Sequence, residues 1–169
     1  MYNKSVREDL KRGVKMDKIY DAMTIAKWII NKTHPEPLKL QKLLYLAQGY
    51  SYAFYDRPLF SDNMEGWVHG PVVRSVYVEF KEYQYNPIDL EFNVEKLEQN
   101  AEDVLKYVIN KYAKYDNKYL ENLTHQQEPW IMSREGLDPD ERSDKTIQKE
   151  DIASYFTNEV FQPDEEEWD

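Results

Sequence analysis

The chain has 169 residues, 22 of them basic and 32 acidic, for a net charge of −10. That length suits one domain with a genuine core, and 14 Tyr, 6 Phe and 4 Trp supply the apolar area that disordered chains lack. The absence of Cys excludes disulfides, thiol nucleophiles and thiolate metal sites. No apolar run approaches the ~20 residues of a membrane span, and the acidic balance disfavours general binding to phosphate backbones.

Taken in chain order, residues 1–15 are polar and basic, and read either as an extension ahead of the folded part or as the product of a start upstream of Met16. Better patterning begins at Met16, so residues 16–162 are expected to form one helical domain and residues 163–169 an acidic tail. Over 17–31, Ile19, Ala22, Met23, Ala26, Ile29 and Ile30 recur at spacings of three and four, which predicts a helix. The run His34-Pro35-Glu36-Pro37 ends it. Residues 38–55 carry the strongest pattern: Leu40, Leu43, Leu44, Ala47, Ser51 and Phe54 on one face, Tyr45, Gln48, Tyr52 and Tyr55 on another. Apolar character around most of the circumference predicts a central helix. The tyrosine stripe reads either as core with tethered hydroxyls or as a docking face.

Residues 59–68 read as an irregular or ribbon-like piece. Gly70-Pro71 is then expected to open a helix with Val73, Val76, Tyr77, Phe80 and Tyr83 inward. A long helix is predicted over 94–112, with Asn93 as its N-cap and Leu97, Ala101, Val104, Leu105 and Val108 inward. A further helix is expected over 116–126, stopped by Pro129-Trp130. Residues 133–144, rich in Asp, Pro, Ser and Gly, predict a surface loop, and 149–161 a last helix using Ile152, Tyr155, Phe156 and Val160.

Charge is unevenly placed. Residues 1–18 hold six basic and three acidic side chains, whereas 121–169 hold four basic and fifteen acidic. Such an acidic segment reads either as a solvated surface that serves solubility alone or as one that attracts a basic partner. The histidines, His34, His69 and His125, are isolated, with no ligand spacing that would point to a metal. His69 and His125 are expected to bond backbone carbonyls at helix ends. Nothing argues for a cofactor, and no nucleophile elbow or apolar carboxylate pair argues for an enzyme. Tyr112, Tyr115 and Tyr119, interleaved with lysines, read either as a stacking surface for nucleic acid or as rings covered by lysine stems, and Asp116-Asn117 should break the helix between them.

Three stretches carry a resemblance: Leu38 to Gly49 (LKLQKLLYLAQG), Gly66-Trp67-Val68-His69-Gly70-Pro71-Val72-Val73, and Leu123-Thr124-His125-Gln126-Gln127-Glu128-Pro129-Trp130. In this order they resemble the Panacea domain, also described as the SocA-like antitoxin or phage-associated GepA family. The family pattern falls on Leu40, Leu43, Leu44, Tyr45, Trp67, Gly70, Pro71, His125 and Trp130. Each of these residue types also has a structural use. The resemblance implies a mainly α single domain, of about six helices by the reading above, with a small β element near the Gly-Pro turn.

It also implies a non-enzymatic antitoxin, often prophage-encoded, with no cofactor; residues 1–18 lack the apolar run of a signal peptide, so a cytoplasmic protein is the default expectation. Its partner would be a toxin protein with a basic active-site surface, of which alarmone-synthetase-like nucleotide transferases are one kind. The leading expectation is direct binding that covers the toxin's active site. A protease adaptor that delivers the toxin for degradation, and an autoregulator using residues 1–18 as a basic arm on nucleic acid, are the alternatives. Tyr52, Tyr55, His69, Tyr112, Tyr115 and Tyr119 are candidate partner contacts.

Overall fold

A computed structural model describes residues 16–161; the basic extension and the acidic tail expected from the sequence lie outside them. Helix α1, Ala22–Thr33, starts where Asp21 caps it: the Asp21 carboxylate accepts from Thr24 N at 2.7 Å. It starts later than the apolar spacing suggests. Tyr20 is held extended beside Phe60 by Tyr20 N to Leu59 O and Ser61 N to Tyr20 O, both 3.0 Å, and Ile19 is exposed. His34 ends α1 at φ 44°, its N–H returning to Ile30 O.

Helix α2, Pro37–Tyr55, is buried around almost its whole circumference and packs against most other elements. Leu40, Leu43, Leu44 and Leu46 are fully enclosed, each contributing roughly 1.5–3 kcal/mol through burial. Its polar residues are used inside the fold. Gln48 accepts from Leu59 N and Phe60 N and donates to Phe60 O, fixing the chain that leaves the helix. Gly49 admits the Phe156 ring; a Cβ there would lie 2.2 Å from Phe156 Cδ2.

A three-stranded antiparallel sheet follows, β1 Met64–Trp67, β2 Gly70–Val72 and β3 Thr146–Ile147, in the order β2-β1-β3. Gly70-Pro71 therefore does not open a helix. Its pairing with Gly66 and Trp67 makes it a strand, and helix α3, Arg74–Phe80, begins only after Val73. A single 3₁₀ turn, Lys81–Tyr83, extends α3.

Helix α4 spans Gln99–Tyr112, so the expected start near 94 and the Asn93 cap are both wrong. The reason lies far away in sequence. Asn31 on α1 donates to Phe92 O and accepts from Phe92 N, both at 2.8 Å, which holds that backbone extended. Tyr20 OH accepts from Glu98 N at 2.8 Å at the helix entrance. Helix α5, Asn117–His125, is capped by Asp116, as the break at 116–117 suggested. Pro129 does not only stop it. It sits in the first turn of a short helix, α6, Glu128–Ser133, which raises the expected six helices to seven among the described residues. Helix α7, Lys149–Val160, closes the core by packing on α2. The architecture is mainly α with a small sheet.

Candidate interaction surface around the hairpin

The hairpin β1–β2 turns at Val68-His69, with Trp67 opposite Gly70. Gly70 has φ 113°, a conformation that side chains with a Cβ rarely adopt. Space also demands glycine: a Cβ there would meet Lys42 Cε at 2.5 Å, Lys42 Nζ at 2.8 Å and Thr124 Oγ1 at 2.9 Å.

Two α2 side chains hold the outer edge of β2. Gln41 accepts from Val73 N at 2.8 Å and donates to Val73 O at 3.3 Å, and Lys42 Nζ donates to Pro71 O at 3.2 Å. Pro71 has no N–H to leave unpaired on that side. Lys42 is completely buried, and burial lowers its pKa from 10.5 to about 7 despite the opposing pull of Glu121.

From the other side, α5 and α6 grip the hairpin. Trp130 Nε1 donates to Trp67 O at 2.8 Å, and the His125 ring stacks on Trp130 at 4.0 Å. Burial lowers the His125 pKa; the nearby Val68 carbonyl and Glu121 act against it. His69, at the tip, bonds the Glu121 carboxylate at 2.9 Å rather than a backbone carbonyl. Burial works against that carboxylate, yet His69 and the neighbouring cations hold its pKa below the ordinary value. Arg134, nearly buried, lies over Trp130 and donates to the carbonyls of Gly66, Asp138, Pro139 and Glu141. One guanidinium thus ties strand, helix and the 138–141 loop together.

The outward face of the hairpin is different. Trp67 Nε1 donates to Glu65, whose carboxylate also takes two bonds from Arg74, at 2.7 and 3.1 Å. Arg74 lies 5.3 Å over the Trp67 ring, and Tyr77 meets that ring edge-on at 4.8 Å. Burial raises the Glu65 pKa, but Arg74 and Trp67 bring it below the ordinary value overall. Beside this stack opens a cleft of about 1130 Å³, lined among others by Val68, Tyr85, Lys81 and Arg142.

Leu38 and Lys39 apart, the three stretches that build the hairpin and its supports lie within one match: a family described as antitoxin SocA-like, Panacea domain, fits residues 40–131, more than half of the chain. The chain belongs to the SocA-like Panacea antitoxin family. Neither a curated protein nor a solved structure matches it. In this Panacea domain the motif residues Leu40, Leu43, Leu44 and Tyr45 are core, Gly70 and Pro71 form the hairpin strand, and Trp67, His125 and Trp130 make the grip just described.

The candidate partner contacts from the sequence do not gather in one place. Tyr52 and Tyr55 are half-buried against the core. Tyr112 is buried, its hydroxyl 2.6 Å from that of Tyr50. Tyr115 and Tyr119 stack on each other at 3.9 Å after the helix break, and His69 stands at the hairpin tip. Sequence reasoning missed Gln41, Lys42, Glu121 and Arg134. The signal for the first two was available: polar residues inside a helix with no polar face. Among the described residues no helix is long and apolar enough to cross a membrane.

Proposed function

We propose that this antitoxin-family chain neutralises a protein toxin by direct binding that covers the toxin's active site. The observation that carries this reading is the outward face of the hairpin. It offers Trp67, Tyr77 and exposed Tyr85 beside charged groups, on a support fixed by bonds from α2, α5 and α6. Rigid aromatic anchors of this kind supply most of the affinity in protein interfaces, because little side-chain freedom is lost on binding. The polar groups of the family motif support the same reading. Lys42 and His125, with Glu121 just ahead of the third stretch, are engaged in holding or lining the hairpin's inner side, which suits a frame for binding more than a reaction centre. The acidic excess in residues 121–169 would draw a toxin with a basic, nucleotide-handling surface.

The test is expression of the open reading frame next to this gene, with and without the chain, followed by a toxin assay with purified components and no protease. Growth arrest relieved by co-expression, with inhibition retained in the purified mixture, is the expected result. Relief in cells with no inhibition in the purified mixture would replace occlusion by delivery to a protease. A toxic neighbour that the chain fails to relieve would refute the proposal.

A further inference from the structure

The cleft beside the hairpin contains groups that the other described residues leave unused. Carboxylates outnumber cations 32 to 22 in this protein, so most surface cations have acids to choose from. Arg74 takes Glu65 and, at 3.6 Å, Asp144. Lys81, at the end of α3, and Arg142, in the loop before β3, both line the cleft. Neither has an ion pair or a side-chain hydrogen bond among the described residues, and both are exposed. Of the two acids on the same lining, Asp144 is engaged by Arg74, which leaves Asp140 to set against Lys81 and Arg142. The unpaired charge of the cleft is therefore net positive, within a protein that is net negative.

Apolar surface lines the same cleft. Tyr85 is 88% exposed, far more than an aromatic ring needs for any role in folding, and Tyr77 and Val68 continue the surface towards Trp67. The sheet edge nearest the cleft is closed, because Gln41 and Lys42 already bond Val73 and Pro71. An occupant cannot add as a strand to β2 and must be held by its side chains.

We propose that this cleft receives an extended segment of the toxin, carrying a large apolar side chain flanked by carboxylates. The apolar side chain lies against Tyr77 and Tyr85, and the carboxylates pair with Lys81 and Arg142. The inference rests on the toxin-binding reading above and names the part of the partner that enters. It also separates two charge effects: the acidic C-terminal third steers a basic toxin surface from a distance, while the cleft takes an acidic segment at short range.

Panning a phage-displayed library of short random linear peptides on the full chain tests the chemistry. The expected consensus is an aromatic or large aliphatic residue beside Asp or Glu. Tyr85→Ala and the pair Lys81→Glu with Arg142→Glu should each weaken those peptides by about 30-fold or more, the change expected of a hot spot, while Tyr119→Ala leaves them unchanged. No enrichment, a basic consensus, or weakening by Tyr119→Ala instead would overturn the proposal. The same variants then enter the growth assay at matched melting temperature. Rescue by the wild type but not by Lys81→Glu with Arg142→Glu supports the cleft. Full rescue by both removes the cleft and leaves toxin binding intact, whereas failure of the wild type itself removes both.

Discussion

Replacing Gly70 by alanine separates the two reasons for glycine at the hairpin. The backbone there has φ 113°, and the new Cβ would fall within 3 Å of Lys42 Cε, Lys42 Nζ and Thr124 Oγ1. Gly136 provides the control. Its φ is 81°, and nothing lies within 4 Å of a Cβ built on it, so Gly136→Ala reports backbone strain alone. That strain costs about 1–2 kcal/mol. Gly70→Ala adds a steric part of about 1–3 kcal/mol, because Lys42 is fully buried and has no open space to enter. The total is roughly 2–5 kcal/mol, or a fall in Tm of roughly 4–20 °C in a chain of this size. Thermal unfolding followed by circular dichroism gives both numbers. Combining Gly70→Ala with Lys42→Ala should recover part of the steric cost and appear as non-additivity. Equal losses for Gly70→Ala and Gly136→Ala would refute the reasoning, since the hairpin would then simply move off Lys42.

Lys42→Met should flatten the dependence of stability on pH above neutrality. With the folded pKa near 7 and the ordinary value 10.5, the unfolded chain holds a proton between those limits that the folded chain has released. Stability of the wild type relative to Lys42→Met therefore rises with pH through that window, and stays at its lowest below pH 7, as urea titrations at several pH values would show. Arg134→Met should cost about 3 kcal/mol in urea unfolding, since it leaves carbonyls of Gly66, Asp138 and Glu141 without their donor. Gly49→Ala should destabilise despite the better helix former. Overpacking against Phe156 costs about 1–3 kcal/mol, against a propensity gain of about 1 kcal/mol, and Phe156→Leu in the same background should restore part of the loss.

Helices with local signals were readable from the chain. Apolar character around most of the circumference of residues 38–55 announced α2, and Asp116 announced the start of α5. What failed had non-local causes. Gly70-Pro71 carries the same letters whether it starts a helix or pairs as a strand; Gly66 and Trp67, together with Gln41 and Lys42 from α2, decide the matter. Residues 94–98 have helical spacing but lie between Phe92, which Asn31 holds from some sixty positions earlier, and Glu98, whose N–H goes to Tyr20 OH. Thr146-Ile147 is a strand only because β1 lies beside it. Of the site, Trp67, His69 and Trp130 stood out within a motif, whereas Lys81, Tyr85 and Arg142 carry no pattern and gain meaning only from sharing a cleft.

The closure of the β2 edge by Gln41 and Lys42 has a consequence for how the protein behaves in company. An open strand edge is a template on which copies can polymerise, and on which any unfolded segment in the cell can settle. Here the template is already filled by two side chains of the central helix. The chain can therefore accumulate without seeding fibres through this edge. Residues such as Tyr85 and Arg142 can also be exchanged without disturbing the frame behind them, so that what is recognised can change while the fold stays as it is.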